Sequence, residues 1–184
     1  MVAAGVLLTA GVARADCFEH HGARFGLDPA LLRAIALVES GGRPHAVNGR
    51  HQARTGSIDV GLMQINTAWL PKLARNGISG DDLRDPCTSI EIGAWILSDL
   101  VQRMGNTWEA VGAYNAACRE LKGADCARAR TTYAWKVFRH LPPGAADKPE
   151  PRQAAAPAAP AAPAGLLSLS AALESPAASH ESNQ

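Results

Sequence analysis

No charge of one sign dominates this 184-residue chain: 18 lysines and arginines face 17 acidic residues, a net charge of +1. Nothing therefore points to bulk electrostatic binding to nucleic acid. Long apolar runs are missing as well, and the N-terminal apolar stretch, residues 1–15, is too short to cross a membrane. No two cysteines have C-x-x-C spacing and no histidine stands at a zinc-finger interval. His20, His21, His45, His51, His140 and His180 make no metal-ligand pattern and read as solvated or hydrogen-bonded side chains. A glycine-rich phosphate loop and a G-x-S-x-G nucleophile motif are both absent. Alternating strands are missing too, apart from a short piece near residues 57–60. No metal and no cofactor are expected.

What is there begins with a leader. Residues 1–15 end in Ala13-Arg14-Ala15, the pattern of a secretory signal and its A-x-A cleavage site. The basic n-region is lacking, so the start codon is expected to lie upstream. Cleavage would leave Asp16 at the new N-terminus and place the protein outside the cytoplasm, in the periplasm. The four cysteines, Cys17, Cys87, Cys118 and Cys126, all follow that point and suit an oxidising compartment. Of the three possible pairings, Cys118–Cys126 with Cys17–Cys87 is favoured: one bond closes a short loop, the other ties the first helix to the start of a later one.

From 16 to 141 the chain alternates helical patterns with turn signals. A helix from about Asp16 to Phe25 is followed by Asp28-Pro29, an N-cap and a proline at the first helical position. The next helix stops at Gly41-Gly42. Residues 43–58 read as a polar loop. Gly61-Leu62-Met63-Gln64-Ile65-Asn66 precedes a helical stretch with Trp69 and Leu73. Asp85-Pro86 opens the most apolar helix, with Ile90, Ala94, Leu97, Val101 and Met104 on one face and Gly105 at its end. Thr107 caps a helix with Trp108, Val111 and Tyr114. A last helix, about Ala127 to His140, buries Tyr133, Val137 and Phe138 and must stop before Pro142-Pro143. The domain is mainly α. Residues 142–184 are dominated by alanine and proline and contain no aromatic residue. They cannot supply a core and are expected to be disordered, with Leu166-Leu167-Ser168-Leu169 as a hydrophobic spot.

One residue carries the chemistry. Glu39 shares a helical face with Leu32 and Ile35, so its carboxyl is expected to be partly desolvated. Desolvation favours the neutral, protonated form, and a glycosidase uses a carboxyl held in that form as its general acid.

Three segments in order, Glu39-Ser40-Gly41, Gly61-Leu62-Met63-Gln64-Ile65-Asn66 and Ala113-Tyr114-Asn115-Ala116, resemble the lytic transglycosylases with a lysozyme-like (goose-type) fold. The likeness is strongest to the small, specialised members that accompany secretion, pilus and conjugation machines. It covers residues 16–141. It implies that Glu39 protonates the bond between N-acetylmuramic acid and N-acetylglucosamine, then deprotonates the muramoyl C6 hydroxyl that closes a 1,6-anhydro ring. It also implies a substrate-binding set. Ser40 would fix the helix end, Met63 would form an apolar wall, and Gln64 and Asn66 would offer amides to the sugar. Tyr114, paired with Asn115, would orient the acid or hold substrate.

The segment Ser57-Ile58-Asp59-Val60 ahead of Gly61 also resembles the part of animal-type lysozymes that bears their second carboxylate. Asp59 is thus a second catalytic candidate, as charge stabiliser or nucleophile. Two further readings stay open: a muramidase using water through Glu39 and Asp59, and a glycan-binding assembly protein without chemistry. The expected partners are a peptidoglycan strand and components of an envelope-spanning machine, with the protein itself a monomer. A polar sugar cleft is expected between the Glu39 helix and residues 61–66.

Overall fold

A computed structural model describes residues 9–118 and 121–144. The tail beyond 144 and residues 1–8 of the expected leader lie outside the described residues. The mainly helical expectation holds: seven α-helices and three two-residue strands are present among the described residues. No helix among them is long and apolar enough to cross a membrane.

Helix α1 (Thr9–Phe25) begins seven residues before the expected Asp16 and runs through the expected cleavage point. Ala10, Ala13 and Ala15 favour helix there and no proline interrupts, so nothing in the local sequence stops the helix earlier. Helix α2 (Pro29–Ser40) starts as its sequence dictates: the Asp28 carboxylate accepts the Ala30 N–H at 2.8 Å and Pro29 takes the first turn.

The polar stretch 43–58, expected as loop, holds strand β1 (Val47–Asn48) and a single helical turn, α3 (Gln52–Thr55). Strands β2 (Asp59–Val60) and β3 (Ile65–Asn66) complete an antiparallel sheet in the order β1-β2-β3. Strands this short carry no period that a sequence reading can detect; their pairing across the turn defines them. The register sets Asn48 beside Asp59 and Asp59 beside Asn66. Val60 and Ile65 form the adjacent pair and are buried.

After β3 the expected helical stretch is broken into a 3-10 turn (Thr67–Trp69), helix α4 (Leu70–Leu73) and a second 3-10 turn (Ala74–Asn76). Helix α5 (Pro86–Met104) is capped by Asp85, which accepts the Thr88 N–H at 2.8 Å, and ends at Gly105. It packs against α1, α2 and α6 (Trp108–Asn115). Helix α7 (Gly123–Phe138) starts four residues before the expected Ala127 and packs on α6 and α2. Leu32 and Ile35 of α2, Ile90 and Leu97 of α5 and Val137 of α7 are all fully buried together with Met63.

Two glycines are fixed by space. Gly61 has φ +85°, and a Cβ there would lie 2.0 Å from the Leu83 carbonyl oxygen. At Gly93 a Cβ would lie 2.8 Å from Met63 Cε and 2.9 Å from Tyr114 Oη, so α5 is bare where those two side chains cross it.

The disulfides are Cys17–Cys87 and Cys118–Cys126, spanning 70 and 8 residues. The first joins α1 to the opening turn of α5; the second joins the segment after α6 to the first turn of α7. Chain-entropy arguments give the long closure about 4 kcal/mol and the short one about 2.5 kcal/mol. Replacing Cys17 and Cys87 together by serine should therefore lower Tm more than replacing Cys118 and Cys126. Calorimetry of both double variants checks the ranking, and a larger loss from the short loop would contradict it.

Candidate active site

Glu39 lies in the last turn of α2. Leu32 and Ile35 on the same face are fully buried, so the helix turns the carboxyl inward with them. It is half-buried, and its partner comes from α7: Tyr133 Oη donates to Glu39 Oε1 at 2.5 Å. Burial pushes the Glu39 pKa up from 4.5 to about 7, and the charge of Asp59 pushes in the same direction. The Tyr133 hydrogen bond and the charge of Lys136 oppose the rise without cancelling it. Burial, and next the Glu39 charge, hold the Tyr133 hydroxyl far above the usual tyrosine range, so it remains a neutral donor.

The second carboxylate has a different setting. The register that aligns Asn48, Asp59 and Asn66 brings both amides onto Asp59. Asn66 Nδ2 donates to Oδ1 at 2.8 Å and Asn48 Nδ2 to Oδ2 at 3.3 Å. His51 Nε2 stands 3.6 Å from Oδ1 and 3.3 Å from Asn66 Nδ2. Asp59 is thus a carboxylate in a polar, hydrogen-bonded cradle, while Glu39 is one against apolar side chains. The two carboxyl groups sit in contrasting surroundings, one among amides and one against the apolar face of α2.

The other expected residues are placed as follows. Ser40 is buried, donating to the Ala36 carbonyl at 3.1 Å and accepting the Arg43 N–H at 3.1 Å, so it ties the end of α2 to the following turn. Gln64 adopts φ +48°, and its amide nitrogen donates to the carbonyls of Gly61 at 2.9 Å and Ala46 at 3.2 Å. Asn66 Oδ1 caps the following turn by accepting the Ala68 N–H. In this structure, then, the Gln64 nitrogen serves the backbone, and the Asn66 amide serves the backbone and Asp59.

Met63, the expected apolar wall, is fully buried. Its N–H donates to Ser89 Oγ, and its carbonyl accepts from Tyr114 Oη at 3.1 Å. The tyrosine hydrogen-bonded to Glu39 is Tyr133, while the Tyr114 hydroxyl is bonded to the Met63 carbonyl. Asn115 is exposed at the end of α6.

Sequence reading placed Tyr133 in the core and missed this role. The signal was present: a tyrosine buried on an apolar face needs an acceptor for its hydroxyl. The nearness of Asn48 and His51 to Asp59 has no local signal, because it depends on strand pairing. Among the described residues, no group of three or more His, Cys, Asp or Glu is arranged to hold a metal.

Two outcomes follow from the Glu39 environment. Removing the donor with Tyr133→Phe should move the Glu39 pKa above about 7, as read by carbon-detected NMR titration of its carboxyl; a fall would contradict the assignment. Glu39 binds its proton more tightly in the folded chain than in the unfolded one, at about 7 against 4.5. Its contribution to stability is full below pH 4.5 and is lost as the pH rises through 7. The loss is of order 3 kcal/mol at most. Glu39→Gln should match the wild type in Tm at pH 4 and exceed it by several degrees at pH 8. A variant less stable at pH 8 would mean the carboxylate is not strained.

Residues 16–133 match the Transglycosylase SLT domain family. The chain is 41% identical over 136 residues to the "Invasion protein IagB" of Salmonella typhimurium (strain SL1344), covering 73% of this chain and 82% of the relative. It is 37% identical over 131 residues to a "Peptidoglycan-binding-like protein" of Escherichia coli O157:H7, covering 68% and 76%. It is 39% identical over 127 residues to "Protein IpgF" of Shigella flexneri, covering 68% and 79%. The chain belongs to the Transglycosylase SLT domain family and has its lysozyme-like fold.

Proposed function

We propose that this protein is an exported lytic transglycosylase that cleaves the β-1,4 bond between N-acetylmuramic acid and N-acetylglucosamine in peptidoglycan. The observation that carries the reading is the Glu39 carboxyl, held near pKa 7 by burial and oriented by Tyr133. A carboxyl with that pKa is protonated in a useful fraction at neutral pH and is still basic enough to recover a proton. Glu39 gives its proton to the glycosidic oxygen as the C1–O bond breaks. The resulting carboxylate takes the proton of the muramoyl C6 hydroxyl as that oxygen bonds to C1. Glu39 ends protonated, the product is a 1,6-anhydro sugar, and no water is consumed.

Asp59 supports the positive charge that develops at C1. Its tether to Asn48 and Asn66 fixes a carboxylate whose field already reaches Glu39. The same pair of carboxylates is the observation that favours a second reading, in which water attacks and the enzyme is a muramidase. The name of one relative, a peptidoglycan-binding-like protein, is in keeping with the substrate, and that of another, an invasion protein, with a host-directed apparatus. In that setting the enzyme opens the wall locally, in the periplasm, for an envelope-spanning machine.

Purified peptidoglycan incubated with the full chain should release fragments lighter by one water than their hydrolysed counterparts, as read by mass spectrometry. Reducing ends instead would establish the muramidase reading. Glu39→Gln should lower the rate by roughly a hundred- to ten-thousand-fold, the usual worth of a general acid–base group. The wild-type rate should fall as the pH rises above about 7, where Glu39 loses its proton; a rate still rising at pH 9 would remove Glu39 from the acid role.

A further inference from the structure

Helix α7 has a second functional face. Trp135 and Phe138, two and five residues beyond Tyr133, point about 160° and about 140° away from it around the helix. With Thr131 and Ala134 of α7 and Trp108 and Glu109 of α6, they line a pocket of about 330 Å³. Both indoles are open to solvent, Trp135 by 56% and Trp108 by 42%. Phe138 holds them in place, edge-to-face with Trp108 at 5.5 Å and with Trp135 at 5.1 Å between ring centroids. The rim is polar and fixed. Glu109 is paired with Arg130 at 2.7 Å, and Arg130 Nε is itself tied to the Ala116 carbonyl at 3.0 Å.

We infer that this pocket binds a sugar ring of the glycan strand at a place separate from the Glu39 centre. The inference rests on the peptidoglycan substrate proposed above. A pyranose presents an apolar C–H face and an edge of hydroxyl and amide groups. The indoles match the face; the Glu109 carboxylate and the Thr131 hydroxyl match the edge, in the pattern of a mostly apolar pocket with a few placed polar groups. An apolar peptide helix seated here would cover the Glu109–Arg130 pair without satisfying it, which is costly. The volume is at the small end of ligand pockets and suits one ring better than a helix. A second hold on the same polymer raises the effective concentration of scissile bonds at Glu39.

The test uses the full chain carrying Glu39→Gln, so that the polymer is not consumed, co-sedimented with insoluble purified peptidoglycan. Adding Trp135→Ala should weaken binding roughly three- to tenfold, the worth of one aromatic contact, and Trp135→Tyr should restore most of it. Tetra-N-acetylchitotetraose should change tryptophan emission in the parent and less so in the alanine variant. With Glu39 intact, Trp135→Ala should keep the wild-type rate on short soluble fragments. Unchanged sedimentation by Trp135→Ala, or a tyrosine variant as weak as the alanine one, overturns the proposal; so does capture of a protein partner through this face with sugar binding unaffected. If the wild type cleaves nothing while sedimentation still depends on Trp135, the reaction assigned to Glu39 fails and the sugar site stands. If cleavage is normal and Trp135 is irrelevant to binding, the sugar site alone fails.

Discussion

The contact between Tyr133 and Glu39 sets the terms for the whole site. It joins the end of α2 to α7 through one short hydrogen bond between residues 94 apart in sequence. Without that donor, burial beside Leu32 and Ile35 would hold the carboxyl's pKa higher still. With too many donors it would be an ordinary carboxylate. Burial raises the Glu39 pKa, the single neutral donor holds it back, and the charges of Asp59 and Lys136 act in opposite directions, which leaves the group at about 7. The phenol suits this use because burial and the Glu39 charge keep its own proton in place.

The small sheet performs the opposite task for Asp59. Its strands are two residues long, yet the antiparallel register stacks Asn48, Asp59 and Asn66 in one row. Each asparagine donates to a different oxygen of the carboxylate. The turn between β2 and β3 holds the register: Gly61 is the only residue type that fits against the Leu83 carbonyl, and Gln64 ties its own turn to the Ala46 carbonyl. The amide nitrogens of Gln64 and Asn66 both help to fix this geometry. The amides set the position of the charge; two carboxylates in contrasting surroundings result.

Much of this was legible along the chain, and the part that was not has a common cause. Helix α5 runs from Pro86 to Met104 because Asp85-Pro86 and Gly105 are local start and stop signals that need nothing from elsewhere. Glu39 is legible for the same reason, since an acid on an apolar face violates the local pattern. The strands at Val47 and Ile65 are invisible, because two residues have no period and their hydrogen bonds go to distant partners. The Tyr133 role was hidden behind Tyr114, which sits in a recognisable Ala-Tyr-Asn-Ala run. Both hydroxyls are satisfied, one by a carboxyl and one by the Met63 carbonyl. Only packing distinguishes them: Gly93 leaves room for Tyr114 to cross α5, and that crossing directs its hydroxyl to Met63.

The position of α7 also bears on its outer face. The helix is held at its first turn by Cys126 to Cys118, in its middle by Tyr133 to Glu39, and near its end by Val137 in the core. A helix fixed at three levels has little freedom to roll or slide. The outward residues Trp135 and Phe138 are therefore presented at a set spacing from Trp108, which α6 supplies from its own packed position. Rings that are already ordered lose little entropy when a ligand settles on them. The inward contacts that hold the acid in its strained state thus also pre-organise the aromatic surface behind it, and a single helix can carry both roles without either one disturbing the other.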